Sequence, residues 1–188
     1  MAVAAMRAGK YAAVEVPAAI TLEECRDLVN TSEAAGVPCT MLENWSFLRD
    51  NLAVLNMIRA GLPGEIVHYY CAYSHNRLSW YFNDGNPRWS GRRLYRRNAG
   101  QHPMHSLGPA LSWMDIHCGD RFLYLTSTAT RSLSINRQFA RKFGPDHPAA
   151  RREHRQSGIV TSVVKTARGN TLVIDNNMQL PRLTIIAG

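Results

Sequence analysis

The chain has 188 residues, 45% of them hydrophobic and 19% charged, with a formal net charge of +8. That length supports one domain with a sizeable core, and that balance excludes an intrinsically disordered chain. No apolar run approaches the roughly 20 residues that cross a bilayer, and Lys10, Glu15 and Pro17 interrupt the Ala-rich start before a secretory core can form, so a cytoplasmic product is expected.

Residues 1–20 read as a loose N-terminal arm, residues 21–64 as a helical part and residues 65–188 as a mainly β part of one domain. Thr21 and Glu24 have capping-box spacing, and Leu22, Cys25, Leu28 and Val29 then recur at helical intervals until Gly36 and Pro38 stop the run. A second helix is predicted over 44–60, with Trp45, Leu48, Leu52, Leu55 and Ile58 as its apolar stripe. Residues 65–73 are rich in β-formers, Asp84-Gly85 signals a turn, and 92–97 reads as a further strand. The stretch 100–119, rich in Pro, His and Met, reads as a connection. A strand over 120–126, a helix over 130–143 and a polar loop over 146–156 follow. Two β-runs at 158–165 and 170–174 flank Ala167-Arg168-Gly169 as a hairpin, and 181–186 is a last short strand. Helices in front of antiparallel strands give an α+β fold class.

Charge is segregated. Residues 1–85 hold six Lys/Arg against nine Asp/Glu, whereas 86–188 hold sixteen against five. A basic half attracts phosphates, nucleic acid or an acidic partner. Arg88, Arg92, Arg93, Arg96 and Arg97 interleave with Trp89 and Tyr95, a composition that suits RNA or single-stranded DNA. Cys25, Cys39, Cys71 and Cys118 include no CxxC pair and read as free, mostly buried thiols. His102, His105, His117 and Cys118 are zinc-ligand types without the paired spacing of a structural site, so no metal is assigned.

Three segments carry a resemblance. Tyr95-Arg96, then Tyr124 with Thr126-Ser127-Thr128, then Asp175 and Asn177 ahead of Leu180-Pro181 follow one another in an order similar to that of the mono-ADP-ribosyltransferases of the arginine–serine–glutamate class. The resemblance covers roughly residues 88–188 and implies front helices packed against two small antiparallel β-sheets enclosing an NAD cleft. It implies NAD as substrate, Arg96 and Tyr95 holding it with Tyr124 and Thr128, and Thr126 and Ser127 organising the site. It puts the family's catalytic glutamate at Asn177 and its upstream residue at Asp175, the surviving carboxylate. The implied protein is a toxin or effector that modifies a host protein, or a catalytically dead relative that binds one.

Overall fold

The computed structural model describes residues 1–180, which fall into two compact units, residues 1–60 and a second beginning at Gly61. The expected closing strand at 181–186 lies outside the described residues.

In the first unit, the supposed arm is structured: Ala2–Arg7 forms helix α1 and Ala12–Val14 strand β1. Short alanine-rich segments give little periodicity to read, and α1 is held by packing through Met6, which is wholly buried. Helix α2, Leu22–Ala35, begins with the predicted capping box, Thr21 Oγ1 accepting from the Glu24 amide and Glu24 accepting from the Thr21 amide. It ends at Gly36 in the left-handed region. Strand β2, Cys39–Met41, then pairs parallel with β1. A strand–helix–strand crossover is the connection parallel pairing requires. The second predicted helix is shorter than expected: a 3₁₀ turn, Trp45–Phe47, precedes α3, Arg49–Arg59. Glu43 causes the break, because its buried carboxylate accepts from the Trp45 and Ser46 amides and the Ser46 hydroxyl.

The second unit is built on one four-stranded mixed sheet, ordered β3 (His68–Ser74), β8 (Thr171–Asn177), β7 (Ile159–Thr166) and β6 (Phe122–Ala129). The β7–β8 hairpin is the predicted one, and β6–β7 is also antiparallel. β3 pairs parallel with β8, His68 opposite Thr171 through Ser74 opposite Asn177. Two antiparallel sheets enclosing a cleft are therefore absent among the described residues, and the expected fold is corrected to this mixed sheet. Strand direction was not legible, since a β-forming run reads alike in either orientation.

One sheet face carries the core. Cys71, Val164, Leu172 and Ile174 pack against Ala110, Met114 and Ile116, with Tyr69, Leu107, Leu111 and Phe122 around them. The helix that covers this face, α5 (Met104–Trp113), lies in the stretch expected to be a connection. Pro103, Gly108 and Pro109 read as loop punctuation. Leu107, Ala110, Leu111 and Met114 nevertheless fall at i, i+3, i+4 and i+7, a helical stripe, and Pro109 is accommodated inside the helix.

The remaining elements surround the sheet's end. Helix α4, Leu78–Tyr81, leads into a small hairpin, β4 (Phe82–Asn83) and β5 (Asn86–Pro87). Asp84 and Gly85 both have positive φ, 44° and 80°, which makes the predicted turn a primed one. The expected strand at 92–97 is instead a 3₁₀ turn, Gly91–Tyr95. Its backbone lies against α4, and a Cβ on Gly91 would stand 2.1 Å from the Tyr81 carbonyl oxygen. Helix α6, Ser134–Phe143, agrees with expectation apart from a later start, and the polar loop contains a one-turn helix, α7 (Pro148–Arg151). Of the four thiols only Cys71 is buried, where burial pushes its pKa up to about 11.

Leu172 has no exposed surface and sits at the centre of this core. Leu172→Ala should lower stability by about 2–5 kcal/mol, read as a shifted urea midpoint with an unchanged slope.

Candidate active site

The expected site residues do not meet at one point. Tyr124, Thr126, Thr128 and Asp175 lie on the sheet face opposite the core, in register with Lys165, Val163 and Thr161 of β7. Asp175 is fully engaged there, Oδ2 accepting from the Tyr70 hydroxyl at 2.6 Å and Oδ1 from the Thr161 hydroxyl at 2.5 Å. Ser127 points to the other face, its Oγ 3.0 Å from Ser162 Oγ. Asn177 is wholly buried, its Oδ1 accepting from the Gln179 and Leu180 amides to hold the turn after β8. Arg96 is exposed after the 3₁₀ turn. Tyr95 packs its ring 4.9 Å from His154 and receives a bond from Arg152 Nη1 at 3.3 Å.

A different set converges at the carboxyl ends of the parallel pair β3 and β8. Tyr73, the penultimate residue of β3, is buried, and its ring centroid lies 4.5 Å from His75, 5.2 Å from His105 and 6.4 Å from His102. His102 and His105 flank the start of α5 with rings nearly parallel, 9° and 6.5 Å apart. Backbone bonds prolong the pairing beyond the strands: the His75 amide donates to the Asn177 carbonyl at 2.7 Å and the Arg77 amide to the Met178 carbonyl at 2.9 Å. Asn176 Oδ1 accepts from the Gln101 amide at 2.9 Å, fixing the approach to α5 against β8. Gly91, by its close approach to Tyr81, brings Arg93 into this surrounding.

The electrostatics are those of a neutral histidine pair. Burial lowers the pKa of His102, and His105, Arg77, Arg93 and His75 lower it further. Burial also lowers that of His75, reinforced by Arg77 and His105. The Tyr81 hydroxyl is pushed up to about 12 by burial against the opposing pull of Arg77 and Arg93. At neutral pH the two imidazoles are thus uncharged proton acceptors beside two permanent cations. Ser74 Oγ, Tyr81 Oη, Gln101 Oε1, Asn176 Nδ2 and Asn177 Nδ2 are buried without a hydrogen-bond partner among the described residues. Each such atom costs about 1–3 kcal/mol unless bound water or a ligand completes its bonding. His117 and Cys118 are exposed on a turn, and no group of three His, Cys, Asp or Glu residues suited to a metal occurs among the described residues.

Sequence reasoning noticed His102 and His105 for their spacing but missed Tyr73 and His75. A Tyr-x-His at the end of a β-run, followed later by His-x2-His at a helix start, was the available signal.

A mixed sheet covered on one face by a helix defines the fold class. An NAD binding oxidoreductase from Klebsiella pneumoniae shares the fold with a TM-score of 0.71 at 24% identity, over 97% of this chain and 45% of that one. An inositol dehydrogenase homolog from Azotobacter vinelandii, complexed with NADH and myo-inositol, gives 0.69 at 14% identity, over 97% and 42%. Within that class, residues 47–186 match the family described as glycosyl hydrolase 109, C-terminal domain, and the chain belongs to it. An alpha-N-acetylgalactosaminidase from Tannerella forsythia is 40% identical over 97% of this chain and 43% of its own length. Another, from Shewanella oneidensis, is 38% identical over 97% and 40%. The chain spans less than half the length of these curated relatives.

This membership overturns the mono-ADP-ribosyltransferase resemblance. The toxin or effector reading, the host-protein acceptor, the nucleic-acid alternative and the dead-transferase alternative go with it. Asp175, Asn177, Thr126, Ser127, Arg96, Tyr95, Tyr124 and Thr128, expected to form one transferase site, are dispersed over both faces of the sheet, the turn after β8 and the 3₁₀ turn. Among the described residues no helix is long and apolar enough to cross a membrane.

His154 gives a pH prediction independent of the site. Burial, with the Arg152 guanidinium adding to it, pushes its pKa down to about 4. The unfolded chain binds this proton near pH 6.5 and the folded one does not. Stability should be constant above pH 6.5, fall by up to about 3 kcal/mol as the pH drops to 4, and level off below. Chemical denaturation across that range should show the loss, and His154→Gln should remove this component.

Proposed function

We propose that this chain supplies the sugar-binding and proton-transfer residues of an NAD-dependent glycosidase that acts on α-linked N-acetylgalactosamine. The observation that carries this reading is the Tyr73, His75, His102 and His105 cluster with Arg77 and Arg93 around it. Relatives that share the family are named for that sugar, and the solved neighbours include NAD complexes.

Ordinary glycosidases use two carboxyl groups across the scissile bond. The described aspartates of the second unit have partners elsewhere, and its described glutamates, Glu65 and Glu153, are exposed. Asp175 binds Tyr70 and Thr161, Asp120 the Arg121 and Arg168 amides, and Asp84, Asp115 and Asp146 pair with Lys142, Arg168 and Arg151. The groups that perturb His75 and His102 are cations and other histidines. Such a set favours proton abstraction by neutral imidazole over a carboxylate pair. His102 and His75 would accept protons from the sugar, and Arg77 and Arg93 would stabilise the negative charge left on oxygen. The orphaned donor of Asn176 and the Tyr81 hydroxyl would meet sugar hydroxyls.

NAD, as cofactor, supplies reversible hydride transfer when bound. The first unit suits such a ligand, because open parallel strands bind dinucleotides beyond their carboxyl ends. Glu15 follows β1 there, and Asn44 lies three residues beyond β2, both exposed. These are the side chains that would meet the ribose hydroxyls.

Titration with N-acetylgalactosamine should shift the ring resonances of His102 and His105, and His102→Ala should weaken binding about tenfold or more. Binding should persist below the ordinary histidine range and fall once the depressed groups protonate. Unmoved histidine signals, or equal affinity in the variant, would remove the basis for this function.

A further inference from the structure

A groove of about 610 Å³ opens beside α6, and its wall begins one residue past the histidine cluster. Asn76, which lines it, stands between His75 and Arg77. Gln138 of α6 accepts from Asn76 Nδ2 at 3.2 Å and donates to the Gln179 carbonyl. Ser134 Oγ donates to Gln179 Oε1 at 2.6 Å, while the Gln179 Nε2, wholly buried, has no partner among the described residues. These bonds fix α6 to the turn after β8, so the wall is rigid and continuous with the end of the sheet. The floor is equally fixed, because a Cβ on Gly85 would stand 2.8 Å from Ala149 Cβ.

The lining has two characters. Asn83 presents an exposed amide that can both donate and accept, and Phe143 a half-buried ring, the combination that suits hydroxylated pyranose rings. The charge is positive. Lys142 is paired with Asp84 at 3.5 Å, which leaves Arg88 and Arg141 without a carboxylate partner among the described residues. The volume is within the range of small-ligand sites, roughly 300–1,000 Å³, and exceeds what one sugar ring needs.

We infer that this groove binds the acidic part of a glycan, a saccharide unit carrying a sulfate or carboxylate that Arg88 and Arg141 hold. The inference rests on the proposed function in one respect: the sugar at the histidine cluster would be the neighbouring unit of the same glycan. Arginine binds such planar or tetrahedral anions through paired N–H donors. The groove thus selects for what the N-acetylgalactosamine is attached to, whereas the histidine cluster acts on the sugar itself.

The test is a backbone-amide and histidine-ring NMR titration of the full chain with four probes. These are N-acetylgalactosamine, an α-N-acetylgalactosaminyl-galactose disaccharide, the same disaccharide sulfated on galactose, and inorganic sulfate alone. The sulfated disaccharide should bind about tenfold more tightly than the neutral one and shift Asn83, Gln138, Arg141 and Phe143. Arg88→Ala with Arg141→Ala, both on the exposed surface, should bring its affinity down to the neutral value and leave monosaccharide shifts unchanged. Equal affinity for the two disaccharides, silence at the groove, or groove shifts matched by sulfate alone would each overturn the inference. Groove shifts with the sulfated disaccharide, alongside histidine rings unmoved by every sugar, would refute the proposed function and still support an acidic-saccharide site.

Discussion

The parallel pairing of β3 with β8 is the constraint on which the second unit depends. It joins segments about a hundred positions apart in the chain, His68 to Thr171 and Ser74 to Asn177. Without it Tyr73 and His75 would have no fixed relation to Asn176, Asn177 and the turn that follows. α5 then settles on the face the pairing creates, through Cys71, Leu172 and Ile174, and so delivers His102 and His105. Core and cluster are opposite ends of one arrangement: apolar residues along the strands, polar ones where the strands stop.

The burial of the cluster determines its chemistry. An exposed histidine is partly protonated near neutral pH. Here desolvation and the nearby Arg77 and Arg93 both oppose protonation of His102, so the ring remains a base although it lies in a basic half of the chain. The same arginines lend positive potential to any oxygen that loses a proton beside them. A surplus of arginine that reads in the sequence as attraction for nucleic acid acts locally in this fold to keep two imidazoles neutral.

What the sequence made legible was local. The capping box at Thr21 and Glu24, the Asp84-Gly85 turn, the hairpin around Gly169 and the end of α6 at Phe143 each depend on a few adjacent residues and were found. What it hid was long-range or contradictory. α5 contains Pro109 and Gly108, and only its contact with the sheet makes the 107, 110, 111, 114 stripe decisive. The arginine run 92–97 has strand-like composition, yet the contact between Gly91 and Tyr81 curls it into a 3₁₀ turn. The transferase resemblance failed for a related reason. It matched residue types at three strand ends, whereas in space Ser127 and Thr126 face opposite ways and Asn177 is sealed inside a turn. Four aromatic or imidazole rings from distant segments left no compact motif, so the cluster appears only once the strands are paired.

The same pairing sets an order in time. β6, β7 and β8 are antiparallel, and β7 and β8 are joined by a tight hairpin that closes quickly, whereas β3 must find β8 across a loop of about a hundred residues. The meander can therefore exist before β3 docks, and the histidine cluster cannot. A chain caught partway would already have most of its sheet and none of its chemistry, with the edge of β8 open to any other strand that arrives first. Correct assembly of the cluster is a race that β3 must win against its own neighbours in solution.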